Sequence, residues 1–282
     1  MKTYQLADTN LAVIEGKTGK SAATRNIVFL HGFPFDRTMW LDLCAALTRQ
    51  CNENKSLSQY RYIVPDLRGF GRSGVQAIGS TTTMEQFAAD ISQLLDALAI
   101  KDKIILCGLS MGGYVASAFA RGYGNRLAAL ILCDTKLEPD TATAAENRIK
   151  LAASLDSGNE TVENLTKNML PNILSPTTLS EKPEIVKRVK TMMQSQSPTG
   201  LAAAARGMAT RQDTTKVITE LNIPILTMAG KEDKLTPPAT MQSITKTAKQ
   251  SESKEIPNAA HLPPIESPQN TAEVIVEFLN KI

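Results

Sequence analysis

The 282-residue chain has little of what marks several large protein classes. It carries two histidines, so any chemistry that needs an imidazole must use His31 or His261. Its four cysteines, Cys44, Cys51, Cys107 and Cys133, show no metal-type C-x-x-C spacing. They are expected to be reduced thiols in a cytoplasmic protein rather than the bridges of a secreted scaffold. No apolar run is long enough to span a bilayer, and Met1-Lys-Thr-Tyr-Gln-Leu-Ala-Asp lacks a signal-peptide core, so no membrane partner is expected. The formal net charge is only +3, with no Lys/Arg run or aromatic-basic stripe, which argues against a nucleic-acid partner. Internal repeats and low-complexity tracts are also missing. What remains is 42% hydrophobic and 21% charged, an ordinary globular composition. The length allows one large domain, with or without an insertion.

The chain is organised around residues 103–114, Lys-Ile-Ile-Leu-Cys-Gly-Leu-Ser-Met-Gly-Gly-Tyr. Ile104 to Cys107 is a continuous apolar run, as in a strand buried on both faces of a parallel sheet. Gly108 to Gly112 spells G-x-S-x-G, and Tyr114, Val115, Ala118 and Phe119 then follow helical spacing. Similar strands are expected at Tyr4–Lys17 (two short ones), Ile27–Leu30, Tyr62–Val64, Ala128–Cys133, Ile223–Ala229 and Lys254–Ile256, with a polar loop over Thr18–Asn26. Thr83 with Gln86 fits a capping box, and Ser267 with Pro268 fits the start of a last helix. Strands alternating with helices imply an α/β protein with a mostly parallel sheet covered on both sides. Between 136 and 216 the alternation stops and only helical spacing is found. This stretch is expected to be a helical insertion, because a structureless loop of that length is implausible. The division is then a core of 1–135 and 217–282 with a cap of 136–216.

By chance G-x-S-x-G turns up in about one chain in ten of this length, so its context carries the weight. A serine hydroxyl at a strand-to-helix corner needs a base to take its proton, and a carboxylate to orient that base. His261 sits in Asn258-Ala-Ala-His-Leu-Pro, a loop of small residues and proline. Asp233 follows an apolar strand, where parallel sheets assemble their sites, with Glu232 adjacent and Asp134 at another strand end as rivals. The order Ser110, Asp233, His261 suits a G-x-S-x-G elbow. The backbone N–H groups of Met111 and Phe33 are the candidate donors to a developing oxyanion. Asp66 is expected to stabilise its own glycine-rich turn.

The motifs His31-Gly-Phe-Pro34, Asp66-Leu-Arg-Gly-Phe-Gly-Arg-Ser73, Gly108-Leu-Ser-Met-Gly-Gly113, Gly230-Lys-Glu-Asp233 and His261 resemble those of α/β-hydrolase fold enzymes, in their usual order and spacing. The likeness is greatest to the branch holding small carboxylesterases and 3-oxoadipate enol-lactone hydrolases. It implies an eight-stranded, mostly parallel sheet with a helical cap between strands six and seven. It also implies acyl transfer from small-molecule esters or lactones, with no metal or organic cofactor. Some such relatives with an intact triad are hormone receptors, and others run perhydrolysis or lyase chemistry. Within the cap, Met169, Met192, Met193 and Met208 are candidates to line an acyl pocket. Arg148, Arg206 and Arg211 are candidates to receive a substrate carboxylate. The oligomeric state is left open.

Overall fold

The computed structural model describes residues 1–18, 25–53, 60–74 and 79–282. The polar loop expected at Thr18–Asn26 lies largely outside them. Eight strands form one sheet in the order β1-β2-β4-β3-β5-β6-β7-β8. They are β1 (Lys2–Gln5), β2 (Asn10–Lys17), β3 (Arg25–Leu30), β4 (Tyr60–Pro65), β5 (Ile104–Leu109), β6 (Leu127–Cys133), β7 (Ile225–Gly230) and β8 (Ser251–Ile256). Strand β2 runs antiparallel to both neighbours, and every other pair is parallel. Strands β5 and β7 are buried along their whole length, which accounts for their uninterrupted apolar runs. Edge strand β8, Ser-Glu-Ser-Lys-Glu-Ile, is polar and closes that side of the sheet.

Helices cover both faces. Helix α1 (Leu41–Glu53) lies on one, and α2 (Met84–Ala97) and α3 (Met111–Tyr123) on the other. Thr83 caps α2 by accepting the Gln86 amide at 3.2 Å, as its spacing predicts. Between β6 and β7 come α4 (Ala142–Ser157), α5 (Val162–Ile173), α6 (Pro176–Glu181), α7 (Pro183–Gln194), α8 (Pro198–Ala209) and α9 (Thr215–Glu220). Helix α5 runs past Pro171, where its apolar face was expected to end. The proline sits in the last turn on the exposed side, so the bond it forfeits is a fraying one. Helix α9 rests on α3, and the boundary expected at 216 falls inside it. After β7 come α10 (Pro238–Thr247), α11 (Pro263–Glu266) and α12 (Pro268–Leu279), the last packed on α1. Ser267 stands at the start of α12, but its hydroxyl accepts the Asn270 amide side chain instead of capping the backbone.

Two apolar clusters, one on each face of the sheet, make the core. All four cysteines are free and buried. No helix among the described residues is long and apolar enough to cross a membrane.

Candidate active site

Strand β5 delivers Ser110 at a strained corner, with φ 54° and ψ −114°. Such a conformation costs about 1–3 kcal/mol and persists only where the surroundings over-determine it. Here they do. The Ser110 amide donates to the Cys133 carbonyl at 3.0 Å, and its own carbonyl accepts from Gly113 N at 2.9 Å and Thr135 Oγ1 at 2.8 Å. A Cβ at 108 would stand 2.2 Å from the Gly112 carbonyl oxygen, and one at 112 would stand 2.2 Å from that of Leu30. Both obstacles are backbone, so only glycine fits at either place.

His261 is 4% exposed, and its amide donates to the Ile173 carbonyl at 3.1 Å. Its Nδ1 lies 2.8 Å from Asp233 Oδ2. Asp233 Oδ2 also accepts the Thr236 hydroxyl at 2.6 Å, and Oδ1 accepts the Leu235 amide at 2.8 Å. Burial works against the charge of Asp233, but the hydrogen bond and charge of His261, with bonds from Asp134 and Thr236, hold its pKa down to about 2. Asp134 is its opposite. Full burial and the neighbouring Asp233 charge push its carboxyl well above the usual range. Asp134 Oδ1 accepts the Gly230 amide at 2.9 Å, which ties β6 to the end of β7.

Asp134, Asp233 and His261 are also the one trio among the described residues whose ligand atoms, all within 4.8 Å, suit a metal ion. His261 Nδ1 is bonded to Asp233 Oδ2, which also accepts the Thr236 hydroxyl, so these atoms are committed to hydrogen bonds within the protein.

The second histidine does a different job. His31 is fully buried; its Nδ1–H donates to the Gly32 carbonyl and its Nε2 accepts the Leu67 amide, both at 2.9 Å. Burial lowers its pKa, and with both nitrogens committed it is a neutral strut joining the loops after β3 and β4. Asp66 anchors that second loop by accepting the Arg37 and Arg72 amides at 2.8 and 2.7 Å.

Ser110 and His261 line one cavity of ≈ 210 Å³, together with Phe33, Met169, Arg148 and Met208. Among the described residues, neither the Phe33 nor the Met111 amide meets a protein acceptor, and the Ser110 hydroxyl makes no hydrogen bond. Of the other expected lining residues, Met192 faces a separate open groove beside Asp36 and Thr38. Met193 is fully buried in the apolar cluster, because its side of α7 packs inward. Arg206 is drawn outward to Asp156 and the Ser80 carbonyl, and so lies away from the cavity.

Three residues at the site were not anticipated. Thr236, three after Asp233, has a spacing that favours local side-chain bonding and was readable in principle. Lys136 lines the cavity, and nothing in the pattern distinguishes it from a surface lysine. Buried Glu266 accepts the Ala260 amide at 2.9 Å and the Ser175 amide at 2.7 Å, clasping the His261 loop to the start of α6.

A family profile described as "alpha/beta hydrolase fold" matches residues 25–268. A thermophilic esterase from Thermogutta terrifontis, solved with malate bound, superposes with a TM-score of 0.86 at 38% identity, covering 99% of this chain and 98% of its own. A Bacillus subtilis (strain 168) protein provisionally named 2-succinyl-6-hydroxy-2,4-cyclohexadiene-1-carboxylate synthase is 27% identical over 92% of each chain. The 3-oxoadipate enol-lactonase 2 of Acinetobacter baylyi is 26% identical over 79% of this chain and 80% of its own.

Proposed function

This chain belongs to the α/β-hydrolase fold family, and on that footing we propose that it is a serine hydrolase cleaving carboxylic esters or lactones of small molecules through an acyl-enzyme. One observation carries the reading: Ser110, on its strained elbow, shares a cavity with His261, whose far nitrogen is 2.8 Å from an ionised Asp233. In this scheme His261 Nε2 takes the Ser110 proton as Oγ attacks the carbonyl carbon. Asp233 stabilises the imidazolium and fixes which nitrogen faces the serine. The Phe33 and Met111 amides receive the oxyanion, a role worth ~3 kcal/mol for each donor. His261 then returns its proton to the leaving oxygen and activates water to release the acid. Side chains and amides carry every proton and charge, so the route calls for no metal or organic cofactor.

Residues 136–216 act as the cap in this proposal, since Met169, Met208 and Arg148 from its helices form part of the cavity wall. The cavity, ≈ 210 Å³, lies below the ~300–1,000 Å³ usual for drug-sized ligands, which favours a short acyl group over a lipid chain. The esterase and enol-lactonase relatives support the same class of substrate.

The test is Ser110→Ala with a panel of short-chain aryl esters and lactones. Turnover should fall by several orders of magnitude, and labelling by a fluorophosphonate, stoichiometric in the parent, should vanish. A variant that keeps most of its activity removes Ser110 from the mechanism. Labelling without repeated turnover would point instead to a receptor.

A further inference from the structure

Three cationic side chains crowd one carboxylate beside the Ser110 cavity. Asp140, whose side chain is 1% exposed, lies 2.5 Å from Arg148 Nε, 2.7 Å from Arg211 Nη1 and 3.6 Å from Lys136 Nζ. Burial works to raise the Asp140 pKa, yet the bonds and charges of Arg148 and Arg211 hold it below the usual range, so it remains a single negative charge. The nearest acidic neighbour in the chain, Glu138, is exposed and turns its carboxylate to the Leu137 amide. Glu85, which lines an adjoining cleft with Lys136 and Arg211, is paired with Arg121, so the three cations at this wall face the one carboxylate of Asp140.

The three cations are not equally committed. Arg211 is 3% exposed, stacked 4.2 Å from the Tyr114 ring centroid, and it donates to the Met208 and Glu138 carbonyls. Arg148 and Lys136 keep side-chain exposures of 27% and 32%, and both line the cavity that holds Ser110 and His261. Beyond Asp140, the one hydrogen-bond acceptor Arg148 meets among the described residues is the Met208 sulfur, at 3.3 Å, a weak one. Two cations sharing one counter-charge on the wall of a small apolar-rimmed space raise the local potential for an anion. An arginine fork held by Asp140 through Nε, with only a weak sulfur acceptor at Nη1, can turn its terminal N–H groups to a carboxylate.

We infer that Arg148 and Lys136 form a carboxylate subsite, and that the substrates of Ser110 are esters or lactones carrying a free carboxylate on a short spacer from the reacting carbonyl. A half-ester of a dicarboxylic acid is the open-chain case. The catalytic part of this inference rests on the serine-hydrolase reading; the binding part does not. Hydrolysis of a half-ester yields a diacid that fits the same subsite, so the product is a competitive inhibitor.

The experiment compares monomethyl glutarate with its neutral isostere methyl pentanoate. The parent should favour the half-ester in kcat/KM by at least ~10-fold, and Arg148→Met or Lys136→Met should shrink that ratio ~10–100-fold, the range of one hydrogen bond to a charged group. Arg148→Lys, which keeps the charge but not the fork, should recover part of the ratio. An unchanged ratio in both Met variants, or no preference in the parent, overturns the subsite. Calorimetry separates this outcome from failure of the hydrolase reading. Ser110→Ala should bind glutarate, and Ser110→Ala combined with Lys136→Met should bind it at least ~10-fold more weakly. If Ser110→Ala still turns esters over while glutarate binding depends on Lys136, the subsite stands and the nucleophile assignment falls. Lys136 is the second variant because its ion pair with Asp140 is the loosest of the three, so its loss disturbs the fold least.

Discussion

Two aspartates with ligand atoms within 4.8 Å of one another are driven to opposite states by their surroundings. Asp233 gains the His261 bond and stays ionised down to about pH 2; Asp134, fully buried against that charge, is pushed well above the usual carboxylate range. The two should therefore answer substitution differently. Asp233→Asn leaves the shape intact but lets His261 adopt the wrong tautomer, and kcat/KM is expected to fall ~10³–10⁴-fold. For Asp134 the informative quantity is stability. Its folded pKa lies above the unfolded value of 3.8, so between those two values the folded state binds the extra proton, and stability falls as pH rises from 3.8 toward the folded pKa. Asparagine carries no such proton. Relative to the parent, Asp134→Asn should gain in urea midpoint as pH rises above 3.8, and that pH-dependent gain should be absent below 3.8. A difference between variant and parent that does not change with pH would mean that the Asp134 pKa is not raised in the fold. His31 is a third case: removing its ring orphans the buried Leu67 amide, so His31→Ala should cost about 1–3 kcal/mol in denaturant unfolding.

Close backbone approach sets the limits at the level of elements. Helix α8 is rich in glycine and alanine because it lies against the chain leading into α2, where the Thr82 amide donates to the Ala203 carbonyl at 3.1 Å. A Cβ on Gly207 would stand 1.8 Å from the Thr82 carbonyl oxygen. Gly207→Ala must therefore push α8 off its seat, and a loss of about 1–3 kcal/mol is expected in thermal or urea unfolding. Gly122, in the last turn of α3, has nothing within 4 Å of its would-be Cβ. Gly122→Ala should be neutral or gain up to ~1 kcal/mol from helix propensity. Opposite signs from one substitution, on two helices, would separate packing from propensity. The far end of the same segment is held differently: Gln196, just past α7, accepts the Gly71 amide at 2.8 Å and reaches Asp36 at 3.3 Å.

Across the whole molecule, the sheet brings residues far apart in sequence to the ends of β5, β6 and β7, and the chemistry depends on that convergence. The Asp233 contribution to stability is fully present above its unfolded pKa of 3.8 and is lost as pH falls through about 2. Asp233 should therefore add to acid destabilisation between pH 3.8 and about 2, and Asp233→Asn should remove that part of the pH dependence of the urea midpoint. A chelator is expected to leave kcat/KM unchanged, because the Asp134, Asp233 and His261 trio is bonded within itself; a loss restored by added metal would reverse that reading. Much of the fold was legible in the chain, because strand and helix periodicities and the glycines of the elbow are local consequences of burial and backbone sterics. The positions of Ser110, Asp233 and His261 at strand ends and loops were legible for the same reason. The opposite pKa shifts of Asp134 and Asp233, which methionines face the cavity, and that Arg148 and Lys136 stand there while Arg206 does not, were decided only by tertiary structure. Those properties depend on desolvation and on partners brought in from distant segments, and no spacing along the chain records either.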